Sequence, residues 1–153
     1  MKNKNTTFFQ KYNFGQSLFE VILALAVSAI VMTGIVSLTS RSVSTSTSSK
    51  NKSQANRYAR EAMEYIRTQK GLLGWSAFVT TAQPGDWCLS SLDFTKHYSC
   101  TTSSSDFISG TIFQRTLTVS NVSAKTMDIT VKVVWIDEKG THETRTVSAI
   151  SDW

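Results

Sequence analysis

Glu20 is a carboxylate set as the third residue of an apolar run, Leu18-Phe19-Glu20-Val21-Ile22-Leu23-Ala24-Leu25-Ala26-Val27. An ionised group at bilayer depth costs about 2.5–3.5 kcal/mol on insertion scales, so a carboxylate there marks a functional position. The chemistry open to it is pairing with a positive charge inside or at the edge of the membrane. Gly15 lies five residues before it, and Lys2, Lys4 and Lys11 precede that glycine. Cys88 and Cys100 are the only cysteines and His97 and His142 the only histidines.

Enzyme chemistry finds little support in these residues. No Gly-x-Ser-x-Gly, His-Glu-x-x-His or phosphate-loop motif is present. Cys88, Cys100 and His97 lack the second ligand pair of a structural zinc site. Asp137-Glu138-Lys139-Gly140 offers too few oxygens for a cation and reads as a solvated turn. No cofactor is implied. Trp75 and Trp87 could stack on single-stranded DNA if exposed. Packing into a core is the simpler reading of both.

The apolar segment Leu18–Leu38 is long enough to position Glu20 within a membrane. At 1.5 Å per helical residue it spans about 31 Å, roughly one hydrocarbon core. Its basic flank predicts a cytoplasmic N-terminus and places the C-terminal bulk across the membrane. The formal charge is +5, from 16 Lys and Arg against 11 Asp and Glu. Taking the three early lysines from those 16 leaves 13 against 11, or +2. The basic balance therefore mostly reports topology rather than nucleic-acid binding. Two plainer readings stay open. A signal peptidase cutting after Val27-Ser28-Ala29 would leave Glu20 inside the apolar region of a signal peptide, where a charge weakens targeting. A simple single-pass anchor explains the length but not the Gly15–Glu20 spacing.

Ala24, Ala26, Ser28, Ala29, Thr33, Gly34 and Ser37 thread the segment, and small residues let membrane helices approach closely. The next stretch, Thr39–Ser53, is rich in Ser and Thr and alone would read as a linker. Helical periodicity then returns: Ala55, Ala59, Ala62, Met63 and Ile66 recur at spacings of three and four. Arg57 with Glu61 and Arg60 with Glu64 are expected i,i+4 pairs. Gly71 is the expected helix stop. Residues 16–70 thus read as one helix, membrane-embedded first and amphipathic second.

Residues 71–106 read as a loop-rich segment with enough aromatic mass to pack down. The period then becomes two. Phe113, Arg115, Leu117 and Val119 share one face of a strand. Met127, Ile129, Val131, Val133 and Trp135 share that of a second. Asp137–Gly140 makes a hairpin turn into a third strand, with Thr144, Thr146, Ser148 and Ile150 on one face. A three-stranded antiparallel meander covered by the Ala55–Ile66 stripe is the predicted head, an α+β arrangement over residues 71–153.

The Gly15-Gln16-Ser17-Leu18-Phe19-Glu20 signal, the basic leader and the helix-then-meander order resemble type IV pilins and type II secretion pseudopilins. The strand Val131–Asp137 running into a glycine turn looks like that of minor members. The chain departs from the family in two places: Gln16 stands where Phe or Met is usual, and the apolar segment holds no proline. The resemblance implies a leader of residues 1–15, removed by a prepilin peptidase between Gly15 and Gln16, and N-methylation of Gln16. It implies that Glu20 meets a neighbouring subunit's N-terminal ammonium. The expected partners are other pilin or pseudopilin subunits, the prepilin peptidase, an inner-membrane assembly platform, and membrane lipid before assembly. The expected location is the bacterial inner membrane, then a periplasmic or surface filament. The alternatives are a type II secretion pseudopilin, or a membrane-anchored adhesin or DNA-binding module that never polymerises.

Cys88 and Cys100 fall on the non-cytoplasmic side of this topology, where disulfides persist. A bond between them would close a short ring contributing about 3 kcal/mol; two buried thiols are the alternative.

Overall fold

The computed structural model describes residues 14–101 and 103–152. Helix α1 runs from Phe14 to Leu73 as a single element of 60 residues. The Ser/Thr-rich stretch belongs to it: Thr39–Ser53 is helical throughout. Short hydroxyl side chains compete with backbone bonds in isolation, but two in the apolar segment, and Thr39 at the start of this stretch, bond back along the helix. Ser28 Oγ donates to the Ala24 carbonyl at 2.8 Å, Thr33 to Ile30 at 2.8 Å and Thr39 to Ile35 at 2.9 Å. This satisfies the hydroxyls without an external partner, as an apolar surrounding demands.

The chain divides into two compact units between Ser46 and Thr47. In the first, the large apolar side chains from Leu18 to Leu38 are exposed. This stretch is apolar and long enough to cross a membrane. The second unit carries its own core, and the dividing point falls within α1. The reason is the Ala55–Ile66 stripe: all five of its residues are buried among the side chains of the head.

The head is a four-stranded antiparallel sheet in the order β1-β2-β3-β4, with strands Gly85–Cys88, Phe113–Ser120, Thr126–Asp137 and Gly140–Ser151. The arrangement is α+β. Burial alternates along β2 and β3 with period two, and Phe113, Leu117, Val119, Met127, Ile129, Val131, Val133 and Trp135 are buried. Their registers pair Phe113 with Trp135, Leu117 with Val131 and Val119 with Ile129, so apolar residues stand opposite one another on the helix-covered face. Glu138 and Lys139 turn β3 into β4, and Gly140 takes the positive φ of 118° that the turn requires.

Three details differ from the periodic reading. Residues 71–106 hold a short helix, α2 from Trp75 to Thr81, and the edge strand β1. Neither is long enough to display a period: α2 has 7 residues and β1 has 4. The stop of α1 is Gly74, not Gly71. Gly71 has open space around it and stays helical, whereas Gly74 adopts φ 71°, a left-handed geometry that glycine reaches without strain. The charged groups of α1 also pair differently from the i,i+4 expectation. Glu64 meets Arg67 at 3.0 Å, Glu61 meets Arg115 from β2 at 3.5 Å, and Arg57 lies over the Tyr58 ring.

Candidate functional site

Gly15 and Gln16 fall in the first turn of α1. Their side chains, together with residues 1–13 of the expected leader, lie outside the described residues. Glu20 follows one turn later and is exposed. A four-residue step puts residues 16 and 20 on one helix face, about 6 Å apart along the axis. Leu23, Ala24 and Val27 continue that face, and all three are exposed. Glu20 has no hydrogen-bond or ionic partner among the described residues. The arrangement is a lone acceptor on an apolar helix surface. Its chemical capacity is to accept a cation that arrives with its own apolar surroundings, since a dry, charge-assisted contact is strong where water is absent.

The head contains buried charge of its own. Arg115 is only 2% exposed, on the core-facing parity of β2. Its Nε donates to the Leu89 carbonyl at 3.0 Å and a terminal nitrogen donates to the Tyr58 carbonyl at 3.1 Å. The same nitrogen reaches Glu61 at 3.5 Å. Burial pushes the guanidinium pKa down and Glu61 opposes that push. The group remains charged, because arginine starts far above any accessible pH. Arg115 thus ties the helix, β2 and the segment after β1 into one unit. The sequence signal was present: a charged residue on the apolar parity of a strand has to find partners when it is buried.

Cys88 and Cys100 are joined by a disulfide, with Cα atoms 4.7 Å apart. The bond anchors the chain around Tyr98 and Cys100 beside β1. Cys88 N–H donates to the Tyr98 carbonyl at 2.6 Å, and the Thr101 amide and hydroxyl each donate to Asp106 at 2.6 Å. The Thr101 hydroxyl, then its amide, hold the Asp106 carboxyl below the usual carboxylate range against the opposing effect of burial. Freshly isolated, non-reduced protein should leave both cysteines unmodified by a thiol alkylator, with labelling of both only after reduction. Loss of the bond should lower stability by about 3 kcal/mol. Labelling of both before reduction would contradict this assignment.

The remaining reactive side chains are engaged structurally. His97 packs on Trp87 with ring centroids 4.5 Å apart. His142 contacts the Asp137 carboxylate at 2.8 Å and stacks on Trp135. Trp75 and Trp87 are half-buried against the core and donate their indole N–H groups to the Ala124 and Gln83 carbonyls. Among the described residues, no group of three His, Cys, Asp or Glu side chains could hold a metal ion. Comparison with family models, with curated proteins and with solved structures finds no match to this chain.

Proposed function

We propose that this chain is a structural subunit, of the minor-pilin kind, in a type IV pilus-like filament. The observation that carries the reading is Glu20: an exposed carboxylate without a partner among the described residues, on an apolar helix of membrane-spanning length. In lipid such a group is unfavourable, and in a bundle of like helices it becomes a contact that selects one stagger. Cleavage between Gly15 and Gln16 creates the amine that answers it. The subunit waits in the inner membrane through Val21–Leu38, then enters the filament when its Glu20 meets a neighbour's N-terminal ammonium. A head with its own core suits this role, because it stays folded on both sides of the transition. The same assembly chemistry serves a secretion pseudopilus.

Mass spectrometry of the protein isolated from its own cells tests the first step. The expected mature N-terminus is Gln16, with or without an added methyl group. A chain beginning at Ile30 would indicate an ordinary signal peptide, and an intact Met1 would indicate an uncleaved anchor. Either result removes the proposed amine and with it this function.

A further inference from the structure

The face of α1 turned away from the core of the head is charged from Arg57 to Glu64. Arg57, Arg60, Glu61 and Glu64 are all exposed. They lie on the side of the helix opposite the buried Ala55, Ala59, Ala62 and Ile66. Each cation precedes a carboxylate by four residues, Arg57 before Glu61 and Arg60 before Glu64. Support for the helix itself does not account for this spacing. A cation on the N-terminal side of its carboxylate is the weaker order for an i,i+4 pair. Neither pair closes among the described residues: Glu61 turns to Arg115, Glu64 turns to Arg67, and Arg57 lies over the Tyr58 ring. Arg60 is exposed and has no ionic partner among the described residues.

The same spacing recurs at the contact proposed for assembly. The amine that cleavage would create at Gln16 precedes Glu20 by four residues of α1. For the amine of one subunit to reach Glu20 of the next, that subunit must be advanced by four residues, roughly 6 Å at 1.5 Å per residue. An advance along a filament carries every residue of a subunit by the same amount. The offset therefore recurs wherever parallel copies of α1 run side by side. At that offset Arg57 of the advanced copy stands level with Glu61 of its neighbour, and Arg60 with Glu64. The other cations from Lys50 to Lys70 fall level with uncharged residues: Gln54, Asn56, Gly71 and Gly74. Other staggers are worse. With none, every charge meets its own kind. At three residues Arg57 meets Arg60, Glu61 meets Glu64 and Arg67 meets Lys70.

Resting on the filament reading above, we propose that the neighbour answering Glu20 is a second copy of this chain, with the Arg57–Glu64 faces of the two helices side by side, parallel and staggered by four residues. One copy contributes the cations and the other the carboxylates, so the contact is heterologous and leaves each copy able to meet a further one. Parallel helices also keep all the apolar segments pointing the same way, as subunits drawn from one membrane require. In the isolated chain these charges are solvated, and exposed pairs contribute little affinity. What they contribute is register, because the other staggers set like charges together. Glu61 can serve both Arg115 and the second copy, since a carboxylate accepts from several donors and Arg115 reaches only one of its oxygens.

The test follows incorporation into sheared filaments in cells lacking the wild-type copy, using charge reversals on the exposed face. Arg60→Glu alone sets two carboxylates together at each contact, and Glu64→Arg alone sets two cations together. Each should lower incorporation roughly fivefold, with the amount in the membrane fraction and the urea midpoint of the head unchanged. Expressed together in one cell, the two variants should restore each other. Each then meets the opposite charge across the contact, although neither chain carries an opposite pair of its own at these positions. Repair within a single chain cannot produce that result. Normal incorporation of either variant alone overturns the proposal, and so does failure of the co-expressed pair to recover. If Gln16 is the mature N-terminus and Glu20→Ala chains stay out of filaments, such a result leaves the filament reading standing and removes only the second-copy contact. A wild type absent from filaments removes both.

Discussion

Glu20→Ala chains are expected to accumulate in the inner membrane and to be missing from the sheared-filament fraction. The substitution removes the only carboxylate of the Leu18–Leu38 segment. Its effect on membrane residence should be favourable, because an ionised group at that depth costs about 2.5–3.5 kcal/mol. In the proposed filament its effect on assembly should be severe, because a neighbour's ammonium would then be left without a counter-charge in a dry core. Unpaired buried charges typically cost about 3–5 kcal/mol, enough to lower incorporation by two or more orders of magnitude. Glu20→Gln should behave like Glu20→Ala, since an amide accepts a hydrogen bond but cannot neutralise the amine. Glu20→Asp keeps the charge on a shorter stem and should retain part of the incorporation. The proposed cleavage after Gly15 should proceed in all three, as on this reading it precedes assembly. The measurement is a comparison of membrane and filament fractions in cells lacking the wild-type copy. Normal incorporation of both Glu20→Ala and Glu20→Gln would remove Glu20 as the assembly contact.

The elements read correctly from the sequence are those in which periodicity is imposed by burial. Ala55, Ala59, Ala62, Met63 and Ile66 face a core, so their 3.6-residue spacing survives in the sequence. The alternation of Met127 to Trp135 is equally strict, because every second residue of β3 is buried. Elements without such a requirement were silent. Strand β1 contributes the half-buried Trp87 and the disulfide-bonded Cys88 from four residues, too few to show alternation. Helix α2 contributes buried Phe78 from a segment containing Val79, Thr80 and Thr81, whose intrinsic preference is for strands. Its formation follows packing, with Phe78 stacked on Phe94 at 5.4 Å.

The candidate site divides along similar lines. Glu20 was conspicuous because a charge in an apolar run violates local composition. The role of Arg115 was less visible, although the same logic applies to it. Its position on the inner parity of β2 could be read directly, but its partners could not. Leu89 and Tyr58 supply backbone carbonyls, which carry no residue-type signal. Glu61 was assigned to Arg57 by helical spacing, a rule suited to isolated helices; in the head the buried guanidinium of Arg115 takes that carboxylate instead. A buried charge has the stronger demand for a partner, and exposed i,i+4 pairs contribute only a few tenths of a kcal/mol.

That demand gives Arg115→Ala the largest expected effect on the stability of the head. The Leu89 carbonyl takes its hydrogen bond from Arg115 Nε, and a buried acceptor stripped of its partner costs about 1–3 kcal/mol. The Tyr58 carbonyl loses less, since it also sits within the helical bonding of α1. The aliphatic stem of Arg115 packs in the core, so truncation removes apolar contacts as well. Together these should lower the unfolding free energy by about 2–4 kcal/mol. Arg115→Met retains most of the stem and separates the two contributions. It should recover the packing but not the Leu89 hydrogen bond, and so fall between wild type and Arg115→Ala. Glu61→Gln should cost less than about 1 kcal/mol, because Glu61 is half-exposed and its contact is long. Urea unfolding of the full chain in detergent, followed by tryptophan fluorescence, measures all three. Trp75, Trp87 and Trp135 report on the head that Arg115 ties together. If Arg115→Met proves as stable as wild type, water or a neighbouring donor reaches the Leu89 carbonyl, and the guanidinium is not what binds β2 to the segment after β1. If Glu61→Gln proves as damaging as Arg115→Ala, the ion pair rather than the backbone acceptors holds Arg115 in place.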